Sequence, residues 1–403
     1  MTPDRSEPTA TISIDRRFTG PDSLKQPILD ALEKNLASSS ALISLKTTMI
    51  ERVGLRWDNL PQISPSASID SEGIDFASIG IQLPVSSFGR KRIRRELIIA
   101  ELEVARFELQ IEENTLAAEI LTKAGEAALA RELKQLLEEF QVNHLELRTA
   151  AGQRQTAGVA DASETLLTEL RAAEIGNDAS EQASRIDLAL GQIAVLTGRP
   201  TTLERIPDLS ALMKEIGNVS LPQESPIIAQ ASVREEIAAH ELRLVKARLI
   251  PALVLRGAID LLTSQSGSAF ALTVDTSDFA GLSAVTDRRL AEAALQAADA
   301  STRKTALGLA RSLQDLALRE RRALGRRDEV DRLVELSRNA VSLYVGQRSL
   351  GARSLSDGIS IYRSLLAGEQ QRLQLSFELF QIYVERARLM GALVSVSNDS
   401  ELH

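Results

Sequence analysis

The sequence contains no cysteine. That excludes disulfide frameworks, thiolate metal sites, a cysteine nucleophile and a lipid-modified N-terminal cysteine. Aromatic residues make up only 3% of the 403 residues, too few for the stacking platforms of a single-strand nucleic-acid binder. Basic charge is not in excess: 47 Lys plus Arg stand against 55 Asp plus Glu, a net charge of −8, which speaks against a nucleic-acid partner. No window approaches the roughly 18 apolar residues of a membrane-spanning helix. Glycine and proline are few, 22 and 12, and no long polar linker divides the chain, so a continuous architecture is expected.

Catalytic signatures are missing too. The three histidines, His144, His240 and His403, are widely separated and share no partner motif. No phosphate-cradling G-x-x-x-x-G-K-[ST], no G-x-S-x-G and no H-E-x-x-H occurs. No enzyme activity, cofactor or metal is expected. Residues 1–22 are polar, rich in Pro, Ser and Thr, and carry no apolar core of a secretory signal. They read as a flexible tail, and either the chain is cytoplasmic or a leader has been trimmed and the sequence re-started at Met1.

What is present is an internal repeat. Pro61 to Ile69-Asp70 is answered by Pro251 to Ile259-Asp260, Ser87-Phe88 by Asp278-Phe279, Ala100-Glu101 by Ala291-Glu292, and Gly152-Gln153-Arg154 by Gly346-Gln347-Arg348. The order is kept at a nearly constant offset. Two tandem halves are expected, 23–198 and 226–396, joined by 199–225 with a short helix at 208–216 and followed by a tail, 397–403.

Each half has the same periodicities. Residues 23–58 place Leu24, Ile28, Leu32, Leu36, Leu42, Leu45 and Met49 at helical spacing, and Pro61 stops the helix. From Ile63 the period becomes two, with Ile63, Pro65, Ala67 and Ile69 alternating with serines. Ala77, Ile79, Ile81, Leu83 and Val85 return, so a hairpin spans 62–86. Leu253, Leu255, Gly257, Ile259 and Leu261, then Phe270, Leu272 and Val274, give a second hairpin at 251–276. Between Arg90 and Ala157 runs an unbroken supply of helix formers, roughly 100 Å long if wholly helical. Leu282 to Leu350 is similar. Returning helices follow over 162–196 and 357–394, with Leu166, Leu170, Ala173, Ile186, Leu190 and Ile193 as the expected seam. Such long antiparallel helices must pack along their length as coiled coils.

The fold class is therefore mainly α with a small β part. Four strands of nine to eleven residues have the length that crosses a bilayer when tilted, but closure takes about eight or more. Three copies would supply twelve, with serines toward a wet lumen and Ile79, Ile81, Leu83, Leu253, Leu255 and Ile259 toward lipid. Phe76, Phe88, Phe270 and Phe279 would then form an aromatic belt near the strand ends. The alternative is a soluble coiled-coil scaffold whose hairpins are ordinary hydrophobic plugs.

Two repeats of helix, β-hairpin and very long helical hairpin resemble the TolC-type outer-membrane efflux family. The resemblance covers the chain after Asp22. It rests on the helix-to-strand passage Arg248-Leu249-Ile250-Pro251 to Gly257, the strand-to-helix passage Leu83-Pro84-Val85-Ser86-Ser87-Phe88-Gly89, and the hairpin tips Gly158 to Glu164 and Gly351 to Asp357. The family has a Gly pair after the Phe of the strand-to-helix passage, whereas Phe88 is followed by Gly89-Arg90 and Phe279 by Ala280-Gly281. The resemblance implies a homotrimer with a twelve-stranded barrel in outer-membrane lipid and a helical tunnel across the periplasm. It implies a passive exit duct of a tripartite efflux or type I secretion system, serving a periplasmic adaptor and an inner-membrane transporter. It places adaptor docking at Gly158, Val159, Ala160, Gly351, Ala352, Arg353 and Ser354, and the periplasmic aperture at Asp357 and Glu164. A capping role for Ser354 and Asp357 is the competing local reading.

Overall fold

The structure, a computed structural model, describes residues 16–36, 39–55, 60–70, 73–156, 162–200, 202, 204, 206–248, 250, 252–260, 268–275, 284–349 and 354–396. The chain order is β1 (Arg16–Phe18), α1 (Asp22–Leu36), α2 (Ser40–Gly54), β2 (Gln62–Asp70), β3 (Gly73–Ser86), α3 (Arg90–Thr156), α4 (Ala162–Thr197), α5 (Leu209–Gly217), α6 (Pro226–Ala247), β4 (Ala252–Asp260), β5 (Ser268–Asp275), α7 (Ala284–Ser349), α8 (Leu355–Met390) and β6 (Val394–Val396). From the hairpins onward the halves match, each with two strands, a very long helix and a shorter returning one. Helix α3 has 67 residues and α7 has 66, while α4 and α8 have 36 each.

Packing divides the chain differently from the repeat. One compact unit takes Ser38–Leu109 and Glu224–Gly308, the other Met1–Ala37, Gln110–Gln223 and Leu309–His403. Each unit thus draws on both halves, and α3 and α7 each contribute a segment to both.

The first unit holds a four-stranded antiparallel sheet in the order β2-β3-β4-β5. The two sequence hairpins meet along β3 and β4, with Ile79 opposite Ile259 and Leu83 opposite Leu255. At the end of β3, Phe88 (φ 46°) and Gly89 (φ 84°) turn the chain into α3. Only glycine takes the second value without strain, and the left-handed Phe88 stands where a more permissive residue would be easier. Helix α6 starts at a Ser225 cap with Pro226 in its first turn. It is tied to α3 by Arg234 to Glu108 at 2.7 Å and Arg243 to Glu96 at 3.3 Å.

The second unit is helical apart from the two-stranded β1–β6 pair, with its core on Ala and Leu: Leu121, Ala124, Ala127 and Ala128 of α3 are fully buried. Small side chains let helix axes approach closely and leave little room for error. At Gly125 an added Cβ would lie 2.3 Å from the ring of Phe380. Leu24, Ile28 and Leu32 make the buried stripe of α1, and Asp30 holds Arg199, beyond the end of α4, at 2.7 Å. Helix α5 docks on α3 through Arg131, which donates to the Ile206 carbonyl (2.9 Å) and to Asp208 (2.7 Å), and through Glu132, which accepts the Leu209 amide (2.8 Å).

Several elements differ from the sequence reading. The helix expected over 23–58 is two helices, because Ser39 caps α2 by accepting the Leu42 amide at 3.2 Å. The returning helix expected to reach 394 stops at Met390, where Gly391 takes a left-handed φ of 67°. Val394–Val396 then pairs with Arg16–Phe18, so part of the expected N-terminal tail is a strand. On α4, Leu166 and Leu170 of the expected seam are exposed in the single chain. Ala173 is exposed as well, whereas Ile186 and Ile193 of that seam are buried, in a stripe with Ile175, Ala179 and Ala189.

Candidate functional site

The sheet carries two chemically distinct faces. Alternation along β3 and β4, together with the register, puts Ile79, Ile81 and Leu83 on the same face as Leu253, Leu255 and Ile259. A bulge between Pro84 and Ser86 sets Ser86 opposite Leu253, whose face follows from the alternation of β4. The outer strands extend it. Ile63 lies opposite Ile81, and Phe270, Leu272 and Val274 lie opposite Gly257, Leu255 and Leu253. All six residues expected to face lipid therefore share one face at their register positions. Ile63, Leu83, Phe270, Leu272 and Val274 are exposed in the single chain, with Phe270 and Ile63 each at 68%. A contiguous apolar surface of this kind marks a partner or a membrane. Phe270 is the third residue of β5, near its start as expected. It lies over Gly257, where a Cβ would come within 2.7 Å of its ring.

The opposite face is polar or small over its middle rows, while the register also assigns it the buried Val254, between Pro84 and Thr273, and the position of Phe76, opposite Ser68. One row across the sheet reads Gln62, Gln82, Arg256, Ala271, and the next reads Ser64, Gly80, Ala258, Ala269. Among the described residues the outer edges of β2 and β5 have no strand partner, and unpaired edges of this length call for pairing or cover.

At the other candidate site the described residues begin with Ser354 and Asp357. Ser354 is the N-cap of α8, and its hydroxyl accepts the Asp357 amide at 3.1 Å. Asp357 is exposed in the first turn, where a carboxylate also complements the helix dipole. The capping geometry is thus present, and it uses the Asp357 backbone amide rather than its carboxylate. Glu164 lies in the first turn of α4. The remaining tip residues, Gly158, Val159, Ala160, Gly351, Ala352 and Arg353, lie outside the described residues.

Beneath Ser354 lies a cluster that the sequence reading missed. Leu147 and Ala151 of α3, Tyr344 of α7 and Leu355 and Ile359 of α8 pack together, all buried. Gly358 is what allows it: a Cβ there would fall 2.3 Å from the Tyr344 ring. The available signal was a glycine within the first turn of a helix, a position where glycine costs stability and so calls for a packing reason. One turn back on α3, His144 is 4% exposed and meets the ring of Tyr362 edge-on at 6.2 Å. Burial lowers its pKa below the ordinary histidine value. The Phe140 carbonyl opposes that shift and the charge of Arg171 adds to it.

No cluster of His, Asp and Glu among the described residues could hold a metal ion, and no described helix is long and apolar enough to cross a membrane. The sequence matches no family model and no curated protein. Its structure, however, is similar to solved ones. The outer-membrane channel OprN superposes with a TM-score of 0.76 at 20% identity, covering 92% of this chain and 90% of that one. The fold is that of the TolC-type outer-membrane channels. The outer-membrane protein VceC of Vibrio cholerae shares the TolC-type fold with a TM-score of 0.75 at 16% identity, over 92% of this chain and 96% of that one. So does the open state of the MtrE outer-membrane channel of Neisseria gonorrhoeae, at 0.75 and 16%, over 97% and 98%.

Proposed function

We propose that this chain is an outer-membrane exit duct that conducts substrate passively for a tripartite efflux or type I secretion assembly. The observation that carries the reading is the four-stranded sheet, apolar on one face, polar on the other, and open at both edges. Four strands cannot close on themselves, whereas three copies give twelve, enough for a barrel with a wet interior. Closure satisfies the β2 and β5 edges at once and turns Ile79, Ile81, Leu83, Leu253, Leu255 and Ile259 toward lipid.

The long helical hairpins form the periplasmic part of the duct. Their tips, Gly158 to Ala160 and Gly351 to Ser354, meet a periplasmic adaptor, and Asp357 and Glu164 surround the aperture. Energy comes from an inner-membrane transporter, and this chain supplies shape alone.

The test is the mass of detergent-extracted protein measured beside planar-bilayer conductance on the same fraction. A conducting trimer is expected. A monomer that is soluble without detergent and electrically silent overturns the reading in favour of a coiled-coil scaffold.

A further inference from the structure

Arg256 is the one charge near the middle of the polar face of the sheet among its described residues. It lies in β4, opposite Gln82 of β3 and Ala271 of β5. Its neighbours on that face, Gly80, Pro84, Val254, Ala258, Ala269 and Thr273, are all uncharged. The side chain is exposed. Guanidinium stays charged at every accessible pH. The register puts three acids on the same face, Asp70, Asp260 and Asp275, all toward the ends of the sheet, with Asp70 opposite Gly73 and Asp275 opposite Ala252. At least four residues separate each of these positions from the level of Arg256, about 13 Å or more along a strand. That exceeds the screening length of about 8 Å at physiological salt. The middle of the polar wall is therefore positive, although the chain as a whole carries −8.

Resting on the duct reading, the geometry points to Arg256 as the anion-recognising residue of the barrel lumen. One guanidinium per copy, at a single level, makes a ring that favours solutes bearing carboxylate or phosphate groups. The fork of donors can bind such groups bidentately, and the small residues around it leave room for the rest of the solute. Because the site lies in a wide aqueous lumen, it is a weak transit site, which conduction requires.

The experiment measures reversal potentials of the assembled protein in planar bilayers under a potassium chloride gradient, with inositol hexakisphosphate as a blocking probe from the barrel side. Arg256→Gln should lower the chloride-to-potassium permeability ratio by about twofold and weaken block by on the order of tenfold. Arg256→Lys should retain the permeability ratio but lose part of the block, because a point charge lacks the fork. Conducting channels with both readouts unchanged in Arg256→Gln overturn the assignment and leave the duct standing. Wild-type protein that forms no channel overturns both.

Discussion

Gly358 of α8 lies flat against the ring of Tyr344 of α7, so close that a methyl group there would fall 2.3 Å from Cζ. The contact closes the buried cluster of Leu147, Ala151, Leu355 and Ile359 directly under the Ser354 cap. Overpacking of this kind costs about 1–3 kcal/mol. Gly358→Ala should therefore loosen the start of α8, seen as faster amide exchange over residues 355–362. The added change Tyr344→Leu should restore protection. Unaltered exchange in Gly358→Ala would show that the end of the hairpin tolerates a wider spacing.

Ser354 and Asp357 separate by their effects. Ser354→Ala removes the acceptor for the Asp357 amide and should cost about 1 kcal/mol, with ion selectivity unchanged. Asp357→Asn keeps a helix start but removes a charge from the proposed aperture. It should reduce the cation preference of single channels and their block by multivalent cations. Equal selectivity in wild type and Asp357→Asn would restrict Asp357 to a role at the helix terminus.

Asn114, wholly buried on α3, clamps the C-terminal strand. Its amide oxygen accepts the backbone amides of Leu393 (2.9 Å) and Val394 (3.1 Å), and its nitrogen donates to the Val394 carbonyl (3.0 Å). Beside it, the fully buried Glu113 receives Arg16 of β1 at 2.6 Å. Asn114→Ala strands three buried backbone groups and should cost about 2–4 kcal/mol. Thermal unfolding in detergent and exchange at Leu393 and Val394 measure it, and a loss confined to those amides would indicate local fraying of β6 rather than global destabilisation.

Burial depresses the pKa of His144, so the folded protein disfavours its charged form. The contribution to stability is complete above the unfolded histidine value, about 6.5. It declines as pH falls, until the folded group also takes up its proton. Melting temperature should drop on acidification through that window, and His144→Phe should flatten this part of the profile. Identical profiles for the two proteins would mean that other groups carry the acid sensitivity.

Much of this molecule was legible along the chain because its signals are local. The switch from a 3.6-residue to a two-residue period at Ile63 marks the passage into strand, and the long runs without proline mark α3 and α7. Alternation was enough to put Ile79, Ile81 and Leu83 on one side of their strand. Ser39 was less legible, since a serine within an apolar helical pattern reads equally well as a solvent-facing residue or as the cap that splits α1 from α2. The end of α8 at Gly391 failed for a related reason: a single glycine is tolerated inside helices, and only the pairing of Val394–Val396 with Arg16–Phe18 shows that this one ends its helix.

By itself, then, the sequence determined the element types, the tandem repeat and the alternation of each strand, because these depend on neighbours a few residues away. The tertiary structure alone decided that β3 joins β4, which turns two hairpins into one sheet with one apolar face and sets Arg256 in the middle of the other. It alone placed Gly358 against Tyr344 and Asn114 under β6. Those relationships join residues 14 to 280 positions apart, and no periodicity extends that far; they follow from which surfaces fit once the helices and strands have formed.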